Sequence, residues 1–138
     1  MDQRHGAADD AERGKSMTLE TTDKTASFGV EGTPGVERRL LPVEDGTICV
    51  YEAGKEHKRT IVLLHGAMYD ESRFIWDALF PALSGRYHVL AVDTPRHGGS
   101  RPWQGVLDRA RLMKILHETI TQLGLTRFSI VGLSMGGG

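Results

Sequence analysis

Residues 132–138 read GLSMGGG, directly after the apolar run FSIV from Phe128 to Val131. One serine, Ser134, stands between Gly132 and Gly136, giving the pattern G-x-S-x-G. Glycine is 17 of 138 residues, so the pattern by itself says little, and its placement decides the reading. It follows a strand-like run and, on this reading, opens a helix. A strand-to-helix reversal that tight leaves little room beside the serine backbone, and Gly132 and Gly136 supply the missing side-chain volume. Ser134 is then held proud of the sheet with its hydroxyl toward a substrate. The free N–H groups at the start of a helix favour negative charge, and the Met135 N–H is the natural first donor of an oxyanion hole.

Working back along the chain, YHVLAVD (87–93) and TIVLLH (60–65) are continuous apolar runs, as expected of strands covered on both faces, and FSIVG is a third. Between them, SRFIWDALFPALSG predicts a helix with Ser72 as N-cap and Phe74, Leu79 and Leu83 as its apolar contacts, limited by Pro81. From about Val106 to Leu123, Val106, Ala110, Met113, Leu116, Ile120 and Leu123 recur at steps of three and four, and Gly124 is placed to cap the helix end. Before these elements, VERRLLPV and TICVYEAG flank Glu44-Asp45-Gly46 and read as a β-hairpin.

The predicted order is hairpin, strand, helix, strand, helix, strand. That is an α/β fold whose parallel strands carry helices on both faces. Residues 1–32 are polar and without periodicity and read as a flexible tail, leaving 33–138 as the folded portion. Sites in such sheets lie at the carboxyl ends of the strands. Three segments meet there: His65-Gly66-Ala67, Asp93 to Ser100, and Gly132 to Gly136.

The composition narrows the function. Seventeen basic and eighteen acidic side chains give a formal net charge of -1, with no basic field for nucleic acid or an anionic membrane. No apolar run is long enough to span a bilayer, and MDQRHGAADDAERGK lacks the apolar core of a secretory signal, so a cytoplasmic location is expected. The single cysteine, Cys49, lies in a strand-like run and reads as a buried, inert thiol. No dinucleotide fingerprint or P-loop is present, and no histidine spacing matches a familiar metal-ligand set, so no cofactor or metal is expected. A second oxyanion donor must come from the neighbouring strand end. There Gly66 lets the backbone pass close to a ligand and the Ala67 N–H is the expected donor, ahead of Met68. His65 reads as a structural histidine bonded to nearby backbone.

Three stretches together resemble the N-terminal half of an α/β-hydrolase-fold serine hydrolase: TIVLLHGAMYDESRFIWDALFPAL, YHVLAVDTPRHGGSRP and FSIVGLSMGG, in that order. The resemblance implies that the first carries the oxyanion loop, at Ala67. The second is the fourth strand and its turn, ordinarily D-x-x-G-H-G-x-S. Here Arg96 replaces the first glycine, while His97, Gly98 and Ser100 match. The third implies Ser134 as nucleophile, and serine rather than aspartate at that point implies acyl transfer on a small-molecule acyl substrate. SMGGG with SRPW also resembles esterases that double as cofactor-free haloperoxidases, and enol-lactonases. Lactone or carbon–carbon bond cleavage, and a non-catalytic binding protein of the same fold, are the alternative readings.

A serine nucleophile needs a histidine base oriented by a carboxylate, and in this fold both follow the serine in the chain. All six histidines precede Ser134, so no residue here is assigned as base or acid. The expectation is a fragment of a protein roughly twice as long, whose C-terminal half supplies Asp or Glu and His.

Overall fold

The computed structural model describes residues 29–138; most of the expected tail lies outside the described residues. Residues 29–32, assigned to that tail from sequence, form a 3-10 turn that places Val30 fully inside the core.

Strands β1 (Glu37–Val43) and β2 (Gly46–Ala53) form the expected antiparallel hairpin, in register from Glu37 opposite Glu52 to Val43 opposite Gly46. Asp45 takes the left-handed conformation that closes the turn, with φ 69°, and Asp tolerates that region better than most residues. Strands β3 (Thr60–Leu64), β4 (His88–Val92) and β5 (Ser129–Gly132) follow, and the sheet order is β1-β2-β4-β3-β5. β2 and β4 run antiparallel, while β3 is parallel to both β4 and β5. The mixed sheet, an antiparallel hairpin joined to parallel strands that run from its middle to one edge, is the architecture the sequence predicts.

Side chains alternate across a strand, so each strand feeds two cores. Cys49, Tyr51, Ala53, Leu63, Val89 and Ala91 face one side, where Val30, Trp76 and Phe80 cover them. Ile48, Val50, Val62, Leu90 and Val92 face the other, covered by Ile115. Helices therefore lie on both faces.

The first helical region differs from expectation. It is two short helices, α1 (Ser72–Ile75) and α2 (Leu79–Ser84). Pro81 has no N–H to offer the preceding turn, and its ring is tolerated only within the first turn of a helix, so α2 restarts just before it. Glu71 occupies the N-cap position and Ser72 is the first helical residue, with no side-chain cap. Spacing counted through the break selects the wrong face: Phe74 and Leu79 are exposed, and Trp76 and Phe80 are buried instead. Leu83 does pack on the core.

The second helix, α3 (Arg109–Gln122), starts three residues later than the spacing suggests. Asp108 caps it, accepting a hydrogen bond from the Arg111 N–H at 2.8 Å. Val106 and Met113 are exposed, while Ile115 and Thr119 are buried and Leu116 and Ile120 pack beside them. Gly124 ends the helix as expected, at φ 70°. The Gly124 and Leu125 N–H groups donate to the Thr121 and Ile120 carbonyls, the double bond of a glycine C-cap.

β5 has the apolar composition of an interior strand, and in this chain it is the exposed sheet edge expected of it: all four of its residues are exposed. Among the described residues it pairs only with β3, and its outer edge and both faces lack cover. Beside α3, Val62, Leu64, Leu116, Ile120, Phe128 and Ile130 line an open apolar groove of about 1070 Å³. At the opposite end of the sheet from the loops described next, buried Glu52 accepts hydrogen bonds from Arg39 (2.9 Å) and the His88 Nε2–H (2.7 Å). Burial pushes the Glu52 carboxyl up, but His88, Arg39 and Lys55 together hold it below the ordinary range. Among the described residues no helix is long and apolar enough to cross a membrane.

Candidate active site

The parallel strands β3, β4 and β5 end at one sheet edge, and the loops leaving them meet there. β5 passes through Leu133 into a 3-10 turn, Ser134–Gly137. Ser134 has φ 52°, a left-handed conformation that is uncommon for serine and marks the strained turn. The two flanking glycines are required by contact rather than by dihedral angle. A side chain at Gly132 would strike the Gly136 carbonyl, and one at Gly136 would strike the Leu64 and His65 carbonyls. The Leu133 N–H donates to the Leu64 carbonyl at 3.0 Å, extending the β3–β5 ladder to the residue before the serine.

The loop after β3 lies against this turn. A Cβ built on Gly66 would stand 3.4 Å from the Ser134 Cβ and 3.5 Å from the Leu133 carbonyl oxygen. His65 fixes that loop. It is fully buried, its Nδ1 lies 2.6 Å from the Gly66 carbonyl, and its Nε2 accepts the Thr94 N–H at 3.1 Å. Since the Thr94 N–H can only donate, Nε2 is the acceptor and Nδ1 carries the proton. Burial lowers the imidazole pKa and keeps it neutral, against the opposing bond to Gly66. His65 is thus the backbone-bonded structural histidine expected from sequence. Ala67, Met68 and Tyr69 beyond it are exposed, and Met68 has φ 67°.

The loop after β4 is tied down by Asp93, also fully buried. Its Oδ1 accepts the Ser72 N–H at 2.8 Å and its Oδ2 the Gly99 N–H at 2.9 Å. Its backbone carbonyl accepts the Ser100 hydroxyl at 2.6 Å, and that hydroxyl accepts the Cys49 N–H at 2.8 Å. One carboxylate thereby joins the start of α1, the end of β4 and the 98–100 turn. Arg96, where the resembled pattern has glycine, takes φ 71° and donates to the Gly105 carbonyl at 2.7 Å. Cys49 is buried beneath this knot, and burial raises its thiol pKa to about 11, the inert thiol expected.

The structure therefore brings together the segments carrying Ser134, Met135 and Ala67. Among the described residues no histidine hydrogen-bonds the Ser134 hydroxyl: His65 is committed to backbone, and His97 bonds the Pro95 carbonyl (2.9 Å) and Thr94. Nor do they include a group of three or more His, Cys, Asp or Glu side chains placed to hold a metal ion. Sequence reasoning overlooked Asp70, whose Oδ2 lies against the same face of Gly66 as Ser134. No spacing rule marks it, because a turn of the chain brings it there.

A strand, a tight glycine-flanked serine turn and a neighbouring-strand loop packed on that turn define a hydrolase-type architecture. The chain matches the family model of the alpha/beta hydrolase family over residues 61–138, and it belongs to that family. The crystal structure of a bacterial membrane phospholipase A superposes with a TM-score of 0.69 and 27% identity, covering 98% of this chain and 42% of that one. Naproxen esterase (carboxylesterase NP) from Bacillus subtilis superposes with a TM-score of 0.67 and 26% identity, covering 76% of this chain and 37% of the other. In sequence, the chain is 25% identical over 132 residues to the dihydrolipoyllysine-residue acetyltransferase component of the acetoin cleaving system of Pseudomonas putida. That alignment takes in 96% of this chain and 35% of the relative. The chain thus spans well under half the length of these three proteins.

Proposed function

We propose that this chain carries the nucleophile of a serine hydrolase acting on carboxylic ester-type bonds. The reading rests on one observation: Ser134 sits at φ 52° in a turn that glycines alone allow, with the loop from the adjacent strand packed against its Cβ. The Ser134 Oγ attacks the acyl carbonyl while a histidine takes its proton. The resulting oxyanion accepts hydrogen bonds from the Ala67 and Met135 N–H groups. Collapse expels the alcohol, which takes the proton back from the histidine, and leaves an acyl-serine. Water, deprotonated by the same histidine, then releases the acid. The histidine and its carboxylate come from residues outside these 138.

The test uses the full-length protein containing this chain. A fluorophosphonate probe labels Ser134, and Ser134→Ala abolishes both labelling and p-nitrophenyl acetate hydrolysis, a loss of about 10³-fold or more. Hydrolysis that survives Ser134→Ala rules the mechanism out. A binding protein of the same fold shows no turnover above the Ser134→Ala control.

A further inference from the structure

Asp70 is a half-buried carboxylate with no assigned task. The turn at Ala67–Asp70, closed by the Asp70 N–H to the Ala67 carbonyl at 3.4 Å, folds its side chain back over Gly66. Its Oδ2 occupies the space a Gly66 side chain would fill, and the Ser134 Cβ borders that same space. The carboxylate and the nucleophile therefore flank one glycine. Among the described residues Asp70 has no ion pair and its carboxylate accepts no hydrogen bond, whereas the next residue, Glu71, pairs with Arg101 at 3.6 Å. His65, whose imidazole feels the Asp70 charge, is held neutral by burial and offers no compensating charge. The far side of the loop, Ala67 to Tyr69, is open to solvent.

An unpaired negative charge beside a nascent oxyanion opposes catalysis unless something cationic stands between them. We propose that Asp70 determines specificity: it favours acyl groups bearing a cationic centre close to the scissile carbonyl and disfavours anionic ones. This rests on the serine hydrolase reading above. A substrate ammonium fills the role that no protein cation fills, and it approaches from the open side of the loop. An anionic acyl group meets the carboxylate at close range.

The experiment compares three ethyl esters with the full-length protein: betaine, its uncharged isostere 3,3-dimethylbutanoate, and hydrogen succinate. Wild-type kcat/KM is measured alongside Asp70→Asn, Asp70→Glu and Ser134→Ala. Asp70→Asn lowers the betaine-to-isostere ratio by about tenfold and raises the succinate-to-isostere ratio by a similar factor, with smaller changes in high salt. Asp70→Glu, which keeps the charge, retains most of the preference. Ratios that stay within twofold of wild type in Asp70→Asn overturn the proposal while leaving the serine mechanism intact. Turnover that survives Ser134→Ala removes the mechanism itself, whatever the ratios. If no ester is turned over, the same ratio is read from Ser134 labelling by a trimethylammonium-bearing and an uncharged organophosphonate, and failure of both to label Ser134 overturns both readings.

Discussion

At the scale of single residues, the site depends on groups whose charge state is set by burial. His65 holds the loop beside Ser134 only as a neutral imidazole donating from Nδ1 and accepting at Nε2. Its pKa lies below the ordinary histidine value, so its contribution to stability is complete above the unfolded value of about 6.5. It is lost as pH falls through the folded value, because the unfolded chain binds the proton first. Urea midpoints of wild type and His65→Gln, measured at about pH 8 and about pH 5, are expected to show the wild-type advantage shrinking at the lower pH. An advantage constant across that range contradicts the assignment. Residue chemistry was the most legible level in the sequence. The buried, inert Cys49 and the backbone-bonded His65 were both readable, since one lies inside a strand pattern and the other at the end of one, and so was the tight turn that carries Ser134. Asp70 was not, because its position depends on a backbone turn with Met68 at positive φ, which no composition rule anticipates.

At the scale of elements, the turn that carries Ser134 and its neighbouring strand β3 form one interlocked unit. Gly136 lies against the Leu64 and His65 carbonyls, and Gly132 against Gly136. Gly136→Ala is expected to destabilise the chain by about 3 kcal/mol and to displace Ser134, because backbone rather than a movable side chain blocks the new methyl. Gly85→Ala, where open space surrounds the position, serves as the control, with an effect within about 1 kcal/mol. A thermal melt of the two variants decides it, and equal shifts would refute the packing argument. Helix boundaries were the least legible part. Periodicity located α3 but missed its start, because Asp108 caps it through a side-chain bond that an apolar count ignores. The α1–α2 region misled further, because helical spacing counted across the Pro81 break places Phe74 where Trp76 belongs.

At the scale of the whole molecule, the sheet is covered on both faces at β2, β4 and β3 and bare at β5. Ile130 is 54% and Val131 40% exposed, on a strand whose outer edge is unpaired among the described residues. Such an edge pairs with any chain that offers a strand. The purified 138-residue chain is accordingly expected to self-associate on size-exclusion chromatography at micromolar concentration, and a lysine at Val131 is expected to reduce that association. A wild-type monomer at those concentrations would contradict it. The continuous apolar runs of β3, β4 and β5 and the Asp45-Gly46 turn made the sheet legible from sequence, whereas the order of strands across it was not, because it depends on pairings between segments far apart in the chain.

The strand order β1-β2-β4-β3-β5 also differs from the order of synthesis. β3 leaves the ribosome well before β5, its partner on the side of the serine, at translation speeds of about 5–20 residues per second. For those seconds one flank of β3 stands open, while β1, β2 and β4 are free to join it on the other. Of the three loops that meet at this edge, the one carrying Ser134 is thus the last to be made, and it arrives on a surface already formed to receive it.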